Sequence, residues 1–428
     1  MLKKAICILI ALAMATAAVA GCAGKDDPAQ TAQETPSQTQ QTQQTTPPQP
    51  GTDNPPVNTD NNNQEETAYV PPANDAERVS RILGGRTLAT LSAESQRYTV
   101  DLGYYNCDHM TAAPIGKDSG IFSTLGMNVE TTGTGRVPEA MSAGHMDVGY
   151  VNHDLTISAR LGGTPLFIAA DNHYGGSIYL VASNEISQAQ ELVGKRIAIT
   201  GAPLEHLNWL EWTAALGIPT DITQYENFVM SDADKYFAFV AGELDAFHAC
   251  DPWASMAEYE GTGWVMIGQN TDRPGGHGTC CKVVMHTEFA ERYPDLAERM
   301  LLAHSMSIQF MYLFPYRAAQ IFSDNFNVPF EVSLMTMYKK LVQEGRTIRW
   351  DLNMQYYQNQ IDTFRAYNIR EDINSVNVRD YVDLSYYENC GAYDFETFIR
   401  EEVDPIFPVG MTYEQFRAKA VERDGIAE

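Results

Sequence analysis

Cationic residues are scarce in this chain of 428 residues: 29 Lys and Arg stand against 55 Asp and Glu, a formal net charge of −26. Nucleic-acid binding draws its affinity from Lys and Arg that displace counterions, so that class of partner is excluded. Such a charge bears on solubility more than on fold. Long apolar runs are also missing. The run 5–20 is shorter than the roughly 20 residues of a spanning helix, and no later segment is apolar enough to span. Cysteine is sparse, with seven in all. Cys107, Cys250, Cys280, Cys281 and Cys390 fall in the part that reads as folded, and an odd set cannot pair completely. The adjacent Cys280 and Cys281 rarely bridge, because that geometry is strained. This is not a disulfide scaffold. The chain also has neither a Gly-x-Ser-x-Gly elbow nor a phosphate-binding glycine loop.

What is present begins with an address. Lys3 and Lys4 precede the alanine-rich run, which ends in Val19-Ala20-Gly21-Cys22. A basic start, a short apolar stretch and small residues before a cysteine form the pattern of a lipoprotein signal peptide, 1–21, cut before Cys22. Lipid on Cys22 would hold the chain at the outer surface of the cell membrane without spanning it. Residues 22–74 are Gln, Thr, Pro, Asn and Asp with almost no large apolar side chain. They cannot bury enough surface to offset their ordering entropy and read as a tether, with a reach on the order of 40 Å.

From residue 75 onward the chain is longer than one core usually supports, so two lobes are expected. Strand and helix patterns alternate: strands over 98–104, 127–130, 146–151 and 165–170, helices over 111–125, 137–143 and 155–161. The alternation then restarts. A strand over 177–182 is followed by a strand over 195–200, a helix over 203–216, a helix over 232–241 and a strand over 245–249. A strand over 281–285 returns to the first lobe, and the rest is mostly helical. This is an α/β chain: two lobes, each a mixed, mostly parallel sheet flanked by helices, with a helical C-terminal extension. The expected limits are 75–180 for the first part of lobe 1, 181–279 for lobe 2, and 280–428 for the return to lobe 1 with the terminal helices.

Several stretches carry a resemblance. Lys117-Asp118-Ser119-Gly120-Ile121-Phe122 is followed by Leu125-Gly126-Met127-Asn128-Val129-Glu130. Ala140-Met141-Ser142-Ala143-Gly144-His145-Met146-Asp147-Val148-Gly149 has a partial echo in Val240-Ala241-Gly242-Glu243-Leu244-Asp245-Ala246, and Glu191-Leu192-Val193-Gly194-Lys195 lies between them. Gly276-His277 and Cys280-Cys281-Lys282 complete the set. In order and spacing they resemble the type II periplasmic binding proteins of the nitrate, sulfonate, taurine and thiamine-precursor group. The resemblance implies a monomeric substrate-binding lipoprotein of an ABC transporter. It would close on a small solute by a hinge and deliver it to a permease with its ATPase, without a cofactor and without catalysis. Gly144 and Gly242 end helices, and Asp147 and Asp245 open the next strands, which makes those acids structural.

Ligands of open parallel sheets sit beyond the carboxyl ends of the strands. That rule selects Tyr105, Asn106, Cys107 and His109 after the first strand, Thr134 and Arg136 after the second, Asn152 and His153 after the third, and Asn172 and His173 after the fourth. From the second lobe it selects Thr200, Asp251 and Trp253, with His277 near the return. Tyr105, Tyr174 and Trp253 can stack a planar ring. Arg136, Lys282 and Arg273 are the few cations nearby, so a zwitterion or nitrogen heterocycle suits the mixture better than nitrate. Cys107, His109, His248, Cys250, His277 and Cys280 would suit a transition metal or a metal chelate. No ligand pair at fixed spacing supports a metal, and the simpler reading makes these residues polar liners and buried fillers. Two rivals stay open. Some relatives make a thiamine pyrimidine with three cysteines followed by Phe-Glu, which Cys280-Cys281-Lys282 does not match, and an extracytoplasmic sensor on this fold is conceivable.

Overall fold

A computed structural model describes residues 69–105, 107–199, 203–270 and 279–427. The signal peptide, Cys22, most of the tether, Asn106, Thr200, Arg273 and His277 lie outside the described residues. Residues 67–428 form one compact unit.

Among the described residues, ten strands form two sheets. In chain order they are β1 (Thr99–Tyr104), β2 (Asn128–Gly133), β3 (Val148–Asn152), β4 (Leu166–Tyr174), β5 (Ile178–Ser183), β6 (Arg196–Ala198), β7 (Glu226–Phe228), β8 (Ala246–Cys250), β9 (Gly263–Gly268) and β10 (Thr279–His286). The first sheet runs β2-β1-β3-β10-β4 and the second β7-β6-β8-β5-β9. In each, the first three strands are parallel and the fourth is antiparallel to both its neighbours. The two sheets therefore share one topology, and the antiparallel strand is in each case the one that enters from the other lobe.

The same turn sets the register in both. Gly144 and Gly242 end their helices at φ of 72° and 74°, a left-handed conformation that glycine adopts without a Cβ penalty. Three residues later, the Asp147 carboxylate accepts the backbone N–H of Asp101 at 2.9 Å, and that of Asp245 accepts the N–H of Arg196 at 3.0 Å. Each acid thus pins the start of a neighbouring parallel strand, the structural role expected from sequence.

Some boundaries differ from expectation. The helix expected over 111–125 is broken at Gly120, where φ is 81°, into Ala112–Asp118 and Ile121–Thr124. β4 runs past residue 170 to Tyr174, because β10 pairs with it to the end, Cys281 opposite His173 and Thr279 opposite Tyr174. Asp171, Asn172 and His173 are thus strand residues, not loop residues. β7 and β9 were not anticipated.

The terminal helices supply much of the core. The helix Pro294–Leu313 is buried on nearly all sides, as an all-round apolar helix must be. Tyr69 donates to the Arg423 carbonyl at 2.8 Å, and the helix Asp75–Leu83 is held by Arg78 to Asp424 at 2.9 Å.

Candidate functional site

Parallel strands end where an antiparallel neighbour begins, so both crossing strands start at the same end of their sheets as the strand-end loops. A cavity of about 430 Å³ lies there. The first lobe lines it with Tyr105, Cys107 and His109 beyond β1, Thr134 and Gly135 beyond β2, Asn152 and Leu155 at the end of β3, and Cys280 and Cys281 from the start of β10. The second lobe contributes Ile178, Asp232, His248, Cys250 and Trp253. Among the described lining residues there is no Lys or Arg.

His109 is the best-held polar group on the first-lobe wall. Its Nδ1 lies 2.9 Å from the buried Asp108 carboxylate and 2.7 Å from the Ser177 hydroxyl, which itself donates to Asp108 at 3.0 Å. Asn172 donates to the His109 carbonyl, and His173 stacks on the ring at 5.0 Å. Nε2 lies 3.3 Å from Cys107 Sγ. Cys280 and Cys281 stand with their sulfurs 3.4 Å apart, unbridged. Contact with Cys281, then the imidazoles of His109 and His173, hold the Cys280 thiol well below the usual range against the effect of burial. Burial pushes Cys107 and Cys281 up. Burial opposes protonation of His109, but the charges of Cys280 and Asp108 outweigh it and raise its pKa.

Behind His109, on the side of Asp108, lies a largely buried charge network. Lys340 Nζ reaches Asp108 at 3.5 Å, Glu344 at 2.8 Å and the Tyr179 hydroxyl at 2.6 Å. Lys339 Nζ reaches Glu258 at 2.8 Å and Asp251 at 3.9 Å. The Asp251 carbonyl accepts the Asp108 N–H at 3.3 Å. This joins the loop after β1 to the loop after β8.

Of the residues expected at the site, Tyr105, Cys107, His109, Thr134, Asn152 and Trp253 line the cavity, as do His248, Cys250 and Cys280 from the metal alternative. Asn172 and His173 stand directly behind His109. Asp251 is buried against Lys339 and caps Ser255 N–H at 2.9 Å, so its carboxylate faces the network and not the cavity. His153 packs edge-on to Tyr357 at 5.2 Å, Lys282 lies over the same ring at 4.7 Å, and Arg136 is exposed on the helix Val137–Ser142. Tyr174 stacks on Tyr356 at 4.7 Å and not on the cavity. Asp232, Ile178 and Leu155 were missed. Asp232 follows β7, and without that strand the end-of-strand rule had no loop to select there. The hydroxyl of Tyr105 is buried with no protein partner.

Two lobes of one topology, with a cavity between their strand ends, are the architecture of the two-lobed binding proteins. Residues 93–321 match the model of the NMT1-like family, more than half of the chain, and the chain belongs to that family. Among solved structures, the ligand-binding component of an ABC-type import system from Staphylococcus aureus, with zinc bound, is similar at 15% identity, with a TM-score of 0.58 over 69% of this chain and 100% of that one. The alkanesulfonate-binding protein SsuA from Xanthomonas axonopodis pv. citri, bound to MOPS, is similar at 16% identity, with a TM-score of 0.56 over 69% and 100%. The fold also carries an enzyme, the desulfurization enzyme DSZB, at 11% identity and a TM-score of 0.54 over 69% and 99%. At these identities the likeness shows the fold. A search among curated proteins gave no match. No helix among the described residues is long and apolar enough to cross a membrane.

Proposed function

We propose that this protein is the extracytoplasmic solute-binding component of an ABC importer, anchored through lipid on Cys22. It captures a small polar solute between its lobes by hinge closure and passes it to a permease. The observation that carries this reading is the cavity lined by strand ends from both sheets, of a size that encloses a small molecule. Membership of the NMT1-like family and the fold shared with import-system binding proteins support it.

The lining argues about cargo. Without a cationic side chain, a bare sulfonate or nitrate would have no counter-charge among the described liners. The half-buried Trp253 offers a ring face, while the Tyr105 hydroxyl, Thr134, Asn152 and Asp232 offer donors and acceptors. A neutral or weakly basic nitrogen heterocycle of the pyrimidine kind suits that set best.

A thermal-shift screen of the purified protein against pyrimidines, amines, sulfonates and nitrate tests this. A solute that binds only the folded state adds about 2.7 kcal/mol at a hundredfold excess over its Kd. The expected result is a shift with one organic class that Trp253→Ala abolishes while the unliganded melting point changes little. Absence of any shift across the screen, extended to thiophilic metal ions, would refute solute capture.

A further inference from the structure

The wall between β1 and β10 is built as a soft-metal site. His109, Cys280 and Cys281 place one ligand atom each within 4.8 Å of one another, and Cys107, Asp108 and His109 do the same. All of these side chains are buried. We propose that Cys280, Cys281 and His109 bind one thiophilic d10 cation of the Zn(II) or Cu(I) class. As a statement about the nature of the cargo, this rests on the solute-binding reading.

Three independent features carry it. The first is spacing. A tetrahedral zinc with metal–sulfur bonds of about 2.3 Å and metal–nitrogen bonds of about 2.0 Å sets its sulfurs roughly 3.8 Å apart and a sulfur and nitrogen roughly 3.5 Å apart. Here Cys280 and Cys281 sulfurs are 3.4 Å apart, and a ring nitrogen of His109 lies within 4.8 Å of both. A modest relaxation around an ion brings the three donors to corners of that tetrahedron. The second is orientation. A metal-binding histidine commonly donates its other ring N–H to a carboxylate, which fixes both tautomer and direction. Nδ1 of His109 is held by the buried Asp108 and by Ser177, which leaves Nε2 for a ligand on the thiol side. A histidine serving only as packing has no need of a carboxylate that is itself anchored by Lys340. The third is donor type. Two thiols and one imidazole select soft cations and discriminate against Mg²⁺ and Ca²⁺, which take oxygen.

Loading moves protons and not electrons. Each thiol that still carries a proton releases it to solvent as its sulfur bonds to the ion, the imidazole donates its lone pair, and the ion sheds its waters. The cavity is far larger than a bare ion needs, so space toward Trp253 remains for a small organic ligand on the same ion. The sequence spacing argued against a metal. The structure brings together His109 and Cys280, 171 positions apart in the chain, which no local motif could reveal.

The test uses the reduced, purified protein with Cd²⁺ and Zn²⁺ as probes. One equivalent of Cd²⁺ should give the ultraviolet thiolate-to-cadmium charge-transfer band, and Zn²⁺ should protect Cys280 and Cys281 from alkylation, read by mass spectrometry. Cys280→Ser/Cys281→Ser should lower the affinity at least about 100-fold and remove the band. Should that variant fail to fold, alkylation of the wild-type protein decides by itself. Absence of the band, or binding that leaves both thiols open to alkylation, overturns the metal site. If organic solutes still shift the melting point in that case, solute capture stands and only the metal falls. If neither metal nor any organic solute shifts it, both fall.

Discussion

The two lobes have one strand order and different chemistry. In each, a helix ends on a left-handed glycine, an aspartate three residues on pins a parallel strand, and the antiparallel strand arrives from the other lobe. The pinning acids already diverge. Asp147 is raised from the ordinary carboxylate value, first by burial, with Tyr98 donating to it at 3.0 Å. Asp245 is lowered, first by its paired contacts at 2.8 and 3.1 Å with the Arg196 guanidinium. At the cavity the divergence is larger. The first lobe presents three thiols and a held imidazole, while the second presents Trp253, Asp232, His248 and the single thiol of Cys250. Topology decides where the cavity lies, and the few residues beyond each strand decide what it accepts. What joins the lobes belongs to neither repeat: Lys339 and Lys340 come from the terminal helices.

The largest expected effect breaks that junction. Lys340→Met would leave Asp108 and Glu344 buried without their cation, and removing one partner of a buried pair costs about 3–5 kcal/mol. Arg196→Ala, at the turn that Asp245 pins, should cost far less, because water screens that pair. Urea unfolding of the two variants measures the contrast. Equal losses would mean that the junction is no more critical than a surface pair.

A second contrast lies within the first lobe and depends on pH. His304 is buried, bonded to the Tyr150 hydroxyl and the Asp171 carbonyl at 2.8 Å each, and burial lowers its pKa to about 4. Its unfolded value is about 6.5, so the stability it contributes is present above 6.5 and is lost as pH falls through 4, by roughly 3 kcal/mol. Asp171, with Lys282 at 3.9 Å and Thr279 donating at 3.1 Å, is pushed up by burial to about 7. A raised acid stabilises the folded state below its unfolded value near 3.9, and that contribution is lost as pH rises through 7. Between pH 7 and 4 the two oppose each other. Asp171→Asn should therefore uncover a fall in stability on acidification, and His304→Gln a rise. Denaturant midpoints at pH 7.5, 5.5 and 4 would show it, and parallel profiles for the two variants would count against the assignment.

Much of this was legible in the sequence where the signal was periodic or local. The paired Gly-x-x-Asp turns, the helix Pro203–Leu216 and the return of β10 to the first lobe follow from glycine chemistry and apolar spacing. Tyr105, Cys107, His109 and Trp253 follow from the rule that ligands sit beyond strand ends. The failures have one cause: partners supplied from far along the chain. Asp251 reads as a site residue until Lys339 is placed against it, and His173 reads as a loop residue until β10 extends β4. Lys339-Lys340 follows the apolar run Val332 to Tyr338, and two cations continuing a buried helix were the available hint of an internal counter-charge.

The smallest expected effect sharpens the equivalence of the lobes. A Cβ built at Gly144 or at Gly242 meets no atom within 4 Å, so neither position is constrained by packing. The only penalty for alanine is the left-handed backbone, about 1–2 kcal/mol, and the φ values differ by 2°. Gly144→Ala and Gly242→Ala should therefore lower stability by the same amount. Each should leave the cavity unaffected, since both turns sit at the ends of the sheets away from it. A marked inequality in urea unfolding would show that the strain is absorbed differently in the two lobes, and that their shared topology does not extend to shared rigidity. Equality would place the functional asymmetry wholly in the residues beyond the strands.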